Sequence, residues 1–218
     1  MSNPRVIAGT ARGIRLQPVP GDITRPVTDR VKEALFNIIG ADVIGSSLLD
    51  LFGGTGAIGI EALSRGAAYV RFLDLHRAAI TTIQTNLKST KLADHADVIQ
   101  TDAFFYLQQI PNYHYDYVYI APPQYKRLWQ KAILLLDQNP DWLANSAWVI
   151  VQIDPVEYEE VPLVNLIQFD QRKYGSTLLV FFTQPDPSNT DYPNDISSPC
   201  LLYTSPSPRD RTRSRMPS

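Results

Sequence analysis

The residues able to do chemistry fall in three clusters. Asp50 stands three positions before the turn Gly53-Gly54-Thr55-Gly56, which leads into the helical run Ala57-Ile58-Gly59-Ile60-Glu61-Ala62-Leu63. Asp74 follows Gly54 by 20 residues, and Asp102 closes a further strand-like run. The third cluster is Ala121-Pro122-Pro123-Gln124-Tyr125. Gly54 through Gly59 spell G-x-G-x-x-G, which lets a backbone turn sharply against a ligand while the next helix aims its free N–H groups at the same place. Several nucleotide-bearing cofactors are held by versions of this turn.

Asp50 separates them. A dinucleotide lays its pyrophosphate over the glycines, where a carboxylate repels it. S-adenosylmethionine (AdoMet) instead presents an ammonium and a sulfonium, which a carboxylate attracts. Asp74 suits a ribose diol, since one carboxylate can accept from both hydroxyls. Asp102 is placed to receive an adenine amino group, with the Ala103 N–H facing a ring nitrogen; it equally suits the N-cap of the following helix. At the third cluster, two prolines fix the backbone and turn a carbonyl into the space beyond the strand.

These positions require a sheet whose strands end at one edge. Apolar runs at 48–51, 69–74, 96–100, 115–120 and 147–153 alternate with helical patterns at 58–64, 78–87, from Asp102 to Pro111, and at 128–137, the signature of a parallel α/β sheet. Runs at 166–174 and 176–182 around Gly175 predict an antiparallel hairpin at the sheet edge. Another helix is expected through Ile39, with Thr28 as N-cap, Val31, Ala34, Leu35, Ile38 and Ile39 on one face, and Gly40 as its stop. Residues 5–9 and 13–16 read as a short hairpin with a basic side formed by Arg5, Arg12 and Arg15. Tyr113, Tyr115, Tyr117 and Tyr119 alternate and are expected to share one packed face. Trp129, Trp142 and Trp148 read as core or cleft wall, and Glu157, Glu159 and Glu160 as a solvated acidic loop. His76, His95 and His114 have no metal-ligand spacing.

The 218 residues fit one domain of 21–183, with a basic arm at 1–20 and a polar tail at 184–218. Residues 200–218 resemble a translated sequencing adaptor and are set aside from the fold, together with the only cysteine. The remainder carries 16 basic against 21 acidic residues, a net charge of −5, so a nucleic-acid surface has to be a local patch. No apolar run has the length of a membrane span and no signal core opens the chain, which predicts a cytoplasmic protein.

The run Arg5-Val6-Ile7-Ala8-Gly9, the block Thr24-Arg25-Pro26-Val27-Thr28-Asp29-Arg30-Val31-Lys32-Glu33-Ala34-Leu35-Phe36-Asn37, and the stretch from Asp50 through Ala67 resemble the RsmD family over about residues 5–183. That family methylates N2 of a guanine in 16S rRNA of the small subunit. The resemblance implies a Rossmann-like class I AdoMet-dependent methyltransferase with a seven-stranded sheet, acting as a monomer without a metal. It implies that Asp50, Phe52, Gly53, Gly54, Thr55, Gly56, Asp74, Leu75, Asp102 and Ala103 hold AdoMet. Arg5, Arg12, Arg15, Arg25 and Arg30 would face the RNA. Pro122, Pro123, Gln124 and Tyr125 occupy the place of the (Asp/Asn)-Pro-Pro-aromatic motif of amino-group methyltransferases. Here Ala121 takes the Asp/Asn position and Gln124 the aromatic one. The Pro122 carbonyl is therefore expected to be the acceptor for the amino group, with Gln124 or Tyr125 meeting the base edge or face. A methyltransferase for a protein or small molecule, and a weakened AdoMet-binding module that docks on ribosomal particles, are the competing readings.

Overall fold

The computed structural model describes residues 4–21, 27–124 and 126–185. Arg25, Tyr125 and the tail beyond residue 185, all of which enter the expectations above, lie outside the described residues.

Five strands, β1 (Ser47–Asp50), β2 (Tyr69–Asp74), β3 (Ala96–Gln100), β4 (Tyr115–Ile120) and β5 (Leu143–Ile153), run parallel, while β6 (Ile167–Tyr174) and β7 (Thr177–Thr183) pair antiparallel. The order is β3-β2-β1-β4-β5-β7-β6, so the hairpin closes one edge with β7 inserted beside β5. β1 is buried along its whole length, as expected of a strand covered on both faces. Its neighbours β2 and β4 are reached in opposite directions, and at such a switch point an open α/β sheet leaves a crevice beyond its strand ends.

Helices α1 (Asp29–Ile39), α2 (Ala57–Ser64) and α3 (Arg77–Thr90) cover one face, and α4 (Ala103–Leu107) and α5 (Leu128–Gln138) the other. α1 starts where the Thr28 hydroxyl accepts the Val31 N–H, and stops where Gly40 takes φ 64°. Close packing of α2 on β2 depends on Gly59, where a Cβ would lie 2.3 Å from the Phe72 ring. The third glycine of the fingerprint thus serves the contact between helix and sheet.

Two local expectations are corrected. The tyrosines do not share a face, because the register shifts between Tyr115 and Tyr117 and the intervening Asp116 accepts from both the backbone N–H and the hydroxyl of Ser47. Tyr115 consequently packs with Tyr113 and Trp142 on one side, and Tyr117 with Trp148 on the other. α4 ends at Leu107 instead of running to Pro111: the Leu107 carbonyl accepts from the Trp142 indole and the Asn139 amide, which terminate the helix. The N-terminal hairpin forms, with Arg5 bridging Arg15 and backbone bonds running from Val6 to Ile14, from Gly13 to Val6 and from Leu16 to Pro4. Other N–H groups of the segment go to α2, with Ile7 and Ala8 donating to the Glu61 carboxylate and Ala11 to the Ser64 hydroxyl. Asn86 of α3 bonds both the N–H and the carbonyl of Gln17. Residues 5–17 are therefore fastened across the helical layer.

Candidate active site

At the C-terminal ends of the parallel strands lies a cavity of about 650 Å³. β1 delivers Asp50 to its floor, and the chain then turns through Gly53 and Gly54 into α2. The Gly53 N–H bonds to the Leu73 carbonyl, and Gly54 and Gly56 adopt φ of 54° and 77°, conformations that a side chain would strain. No side chain caps α2, so its first N–H groups face the cavity, which Ala57 and Ile58 line.

Asp50 is the electrostatic anomaly of the site. Its carboxyl is buried, and Oδ1 has no hydrogen-bond partner. Among the described residues, it is the one cavity-lining residue with a buried side-chain polar atom left unpartnered. Desolvation pushes the carboxyl up to about 7; the Phe52 N–H opposes the shift and the charge of Asp74 adds to it. A buried carboxyl with one oxygen left without a donor at a cavity wall fits a cationic group arriving from the cavity, because such a group would restore the missing interaction.

Asp74, at the end of β2, braces the turn. Its Oδ2 accepts the Gly54 N–H at 2.9 Å and its Oδ1 the His76 N–H at 2.8 Å, and each oxygen keeps a lone pair for a ligand hydroxyl. Asp102 is the N-cap of α4, with Oδ1 accepting from Phe104 and Phe105, which leaves Oδ2 outside the cap. Phe52 and Phe104 meet edge to face with centroids 6.0 Å apart, forming an apolar wall with exposed Leu75 nearby in the same cavity. A flat aromatic ring of a ligand would suit this side.

The opposite end belongs to β4, β5 and β7. Ala121, Pro122, Pro123 and Gln124 line the cavity there, as do Gln152 of β5 and Ser176 and Thr177 at the β6–β7 turn. Tyr119 lies beside Asp50 in the sheet and donates its hydroxyl to Gln152 Oε1. Burial, together with the charge of Asp50, raises the Tyr119 phenol well above its usual range, so it stays a protonated donor.

Of the residues singled out from sequence, the structure thus brings together Asp50, Phe52, Gly53, Gly54, Thr55, Asp74, Leu75, Asp102, Ala103, Pro122, Pro123 and Gln124 around one cavity. Gly56 sits just behind the wall as the N-cap of α2. Arg5, Arg12, Arg15 and Arg30 are exposed and do not line it; Arg5 pairs with Asp29 at 2.9 Å, and Arg5 and Arg12 flank a separate small hollow. Sequence reasoning did not single out Phe104, Tyr119 or Gln152 as site residues. For Gln152 a signal existed, since it interrupts the apolar run 147–153 as its one polar residue. Among the described residues, no group of three or more His, Cys, Asp or Glu is placed to hold a metal ion, and no helix is long and apolar enough to cross a membrane.

The sheet order, the glycine turn and the acid in front of it define a class I, Rossmann-like methyltransferase. A Salinibacter ruber RNA methyltransferase in complex with S-adenosyl-L-homocysteine shares this fold at 18% identity and a TM-score of 0.58, over 80% of this chain and 100% of that one. At closer range, residues 4–183 match the family described as Conserved hypothetical protein 95. The chain belongs to that family, which is the RsmD family. It is 38% identical to Ribosomal RNA small subunit methyltransferase D of Haemophilus influenzae over 180 residues, covering 82% of this chain and 91% of that protein. Identity to the protein of the same name from Escherichia coli K12 is 39% over 149 residues, 68% of this chain and 73% of the relative. The solved structure of the Escherichia coli protein yhhF superposes with a TM-score of 0.73 at 33% identity, over 83% of this chain and 97% of that chain.

Proposed function

We propose that this protein transfers the methyl group of AdoMet to the exocyclic N2 of a guanine in 16S rRNA of the small ribosomal subunit. One observation carries the reading: Asp50, with its unpartnered Oδ1, and the Pro122-Pro123 turn occupy opposite parts of a single cavity. When bound, AdoMet supplies a methyl group made electrophilic by its attachment to a positive sulfur. Asp50 would receive the cationic amino acid part, Asp74 the ribose hydroxyls, and the Phe52–Phe104 wall the adenine, with Asp102 and Ala103 at its polar edge. Thr55 and the glycines leave the backbone open to the ligand.

The Pro122 carbonyl accepts one N–H of the target amino group and turns the nitrogen toward the methyl carbon. Gln124 and Tyr125 meet the edge or face of a base taken out of its stack. Rate enhancement then comes from positioning and exclusion of water, and the proton lost by nitrogen passes to solvent at the cavity mouth. Arg12, Arg15, Arg25 and Arg30 contact RNA phosphates, with Arg5 partly engaged by Asp29. We assign the protein to the cytoplasm as a monomer that acts on rRNA or on an assembling particle.

The test is nucleoside mapping of small-subunit rRNA by mass spectrometry in a strain lacking the gene. One guanine loses its N2 methyl group and regains it when the gene is restored. Retention of every methylated guanine would refute the assignment.

A further inference from the structure

An exocyclic amino group shares its lone pair with the ring, and both of its N–H bonds need acceptors if the nitrogen is to be held facing a methyl donor. The Pro122 carbonyl is one acceptor, and the methyl side chain of Ala121 cannot be another. The neighbouring strand carries a residue that can. β4 and β5 are in parallel register with Ile120 opposite Val151, so Ala121 and Gln152 are the next residues along each strand. Both line the cavity, together with Pro122. Gln152 Oε1 accepts the hydroxyl of the buried Tyr119, which fixes the carboxamide while leaving that oxygen a second lone pair.

We propose that Gln152, oriented by Tyr119, is a catalytic residue that supplies the second acceptor for the target amino group, a contact made from β5 in place of one from position 121. The inference rests on the methyltransferase reading above. In the step itself, the nitrogen lone pair forms a bond to the methyl carbon while the carbon–sulfur bond breaks and its pair stays on sulfur. The nitrogen then gives one proton to water, and the products are the N-methylated base and S-adenosyl-L-homocysteine. Gln152 takes up no proton; it aligns the amino group and stabilises the positive charge that builds on it.

The experiment follows methyl transfer from labelled AdoMet to unmethylated small-subunit particles, with AdoMet affinity measured separately by calorimetry. Gln152→Ala is expected to lower kcat about 100-fold while leaving KM for the particle and AdoMet affinity unchanged. Tyr119→Phe, which frees the carboxamide, is expected to lower kcat less, about tenfold, again with KM unmoved. Adding Ala121→Asn to Gln152→Ala restores an acceptor from β4 and is expected to recover kcat about tenfold. The proposal is overturned if Gln152→Ala keeps its kcat, if AdoMet affinity falls in step with kcat, or if Ala121→Asn restores nothing. A wild-type protein that binds AdoMet yet methylates no particle refutes the rRNA reading, and this assignment with it. Full activity in Gln152→Ala refutes the assignment alone.

Discussion

Lys32 Nζ and Glu61 Oε2 stand 3.5 Å apart with neither side chain exposed to solvent. Glu61 also accepts from Arg65 Nε at 2.8 Å and from the Ile7 and Ala8 N–H groups at 2.8 and 3.0 Å, while Lys32 donates to the Arg5 carbonyl. One buried acid therefore joins α1, α2 and the N-terminal segment.

Removing that acid strands a cation. Burial lowers the Lys32 pKa below its usual 10.5, and Glu61 opposes the shift. Glu61→Gln is expected to cost about 3–5 kcal/mol in urea unfolding, because it leaves the ammonium buried without its partner. The lowered pKa fixes the sign with pH. As pH rises toward 10.5, the folded variant has already lost the proton that the unfolded chain still holds, so the variant regains stability in alkali. Lys32→Met added to Glu61→Gln should recover part of the loss and remove this slope.

Asp50 makes the opposite trade. An ordinary aspartate titrates near 3.8, and burial pushes this one up to about 7 in the folded protein. Between those values the folded state keeps a proton that the unfolded chain has released, so stability without ligand falls as pH rises through the window and then levels off. Asp50→Asn should therefore raise Tm at neutral and alkaline pH and flatten the slope. The same variant should bind AdoMet more weakly, and should lose the strengthening of binding with pH that wild-type protein shows as Asp50 ionises. Thermal scans and calorimetry at pH about 5 and about 8 read both effects.

Gly59→Ala tests the helix–sheet contact. Its Cβ would lie 2.3 Å from the Phe72 ring and 2.7 Å from Val70 Cγ1, with little space for either to retreat. A loss of about 1–3 kcal/mol is expected from urea unfolding. AdoMet affinity should fall as well, since α2 can relieve the clash only by moving the turn at its N-terminus.

Exposed arginines should reveal themselves through salt. Arg12→Ala and Arg15→Ala should weaken particle binding and each reduce the slope of log K against log salt concentration by about one. Arg5→Ala should change it less, because Arg5 is paired with Asp29. Filter binding over a salt series measures the slopes.

What the sequence displayed plainly was local. β2, β3 and β4 begin and end where the apolar runs do, and the acid–glycine–helix succession located Asp50 and the turn without tertiary information. What it concealed depended on partners far along the chain. The division of the tyrosines needs Asp116 to find Ser47, 69 residues away. The early end of α4 needs Trp142, and the seating of the N-terminal hairpin on α2 needs Glu61. Gln152 becomes a wall of the cavity only once β5 lies beside β4, an adjacency that periodicity does not encode.

The fastening of the N-terminal segment also orders events during synthesis. The partners of Ile7 and Gln17 lie 54 and 69 residues downstream. At roughly 5–20 residues per second, these early residues are synthesised several seconds before Glu61 and Asn86 exist to receive them. The N–H groups of Ile7 and Gln17 therefore reach their acceptors in the fold only after those later residues have been made. Translation thus delivers the basic segment first, and the fold secures it afterwards.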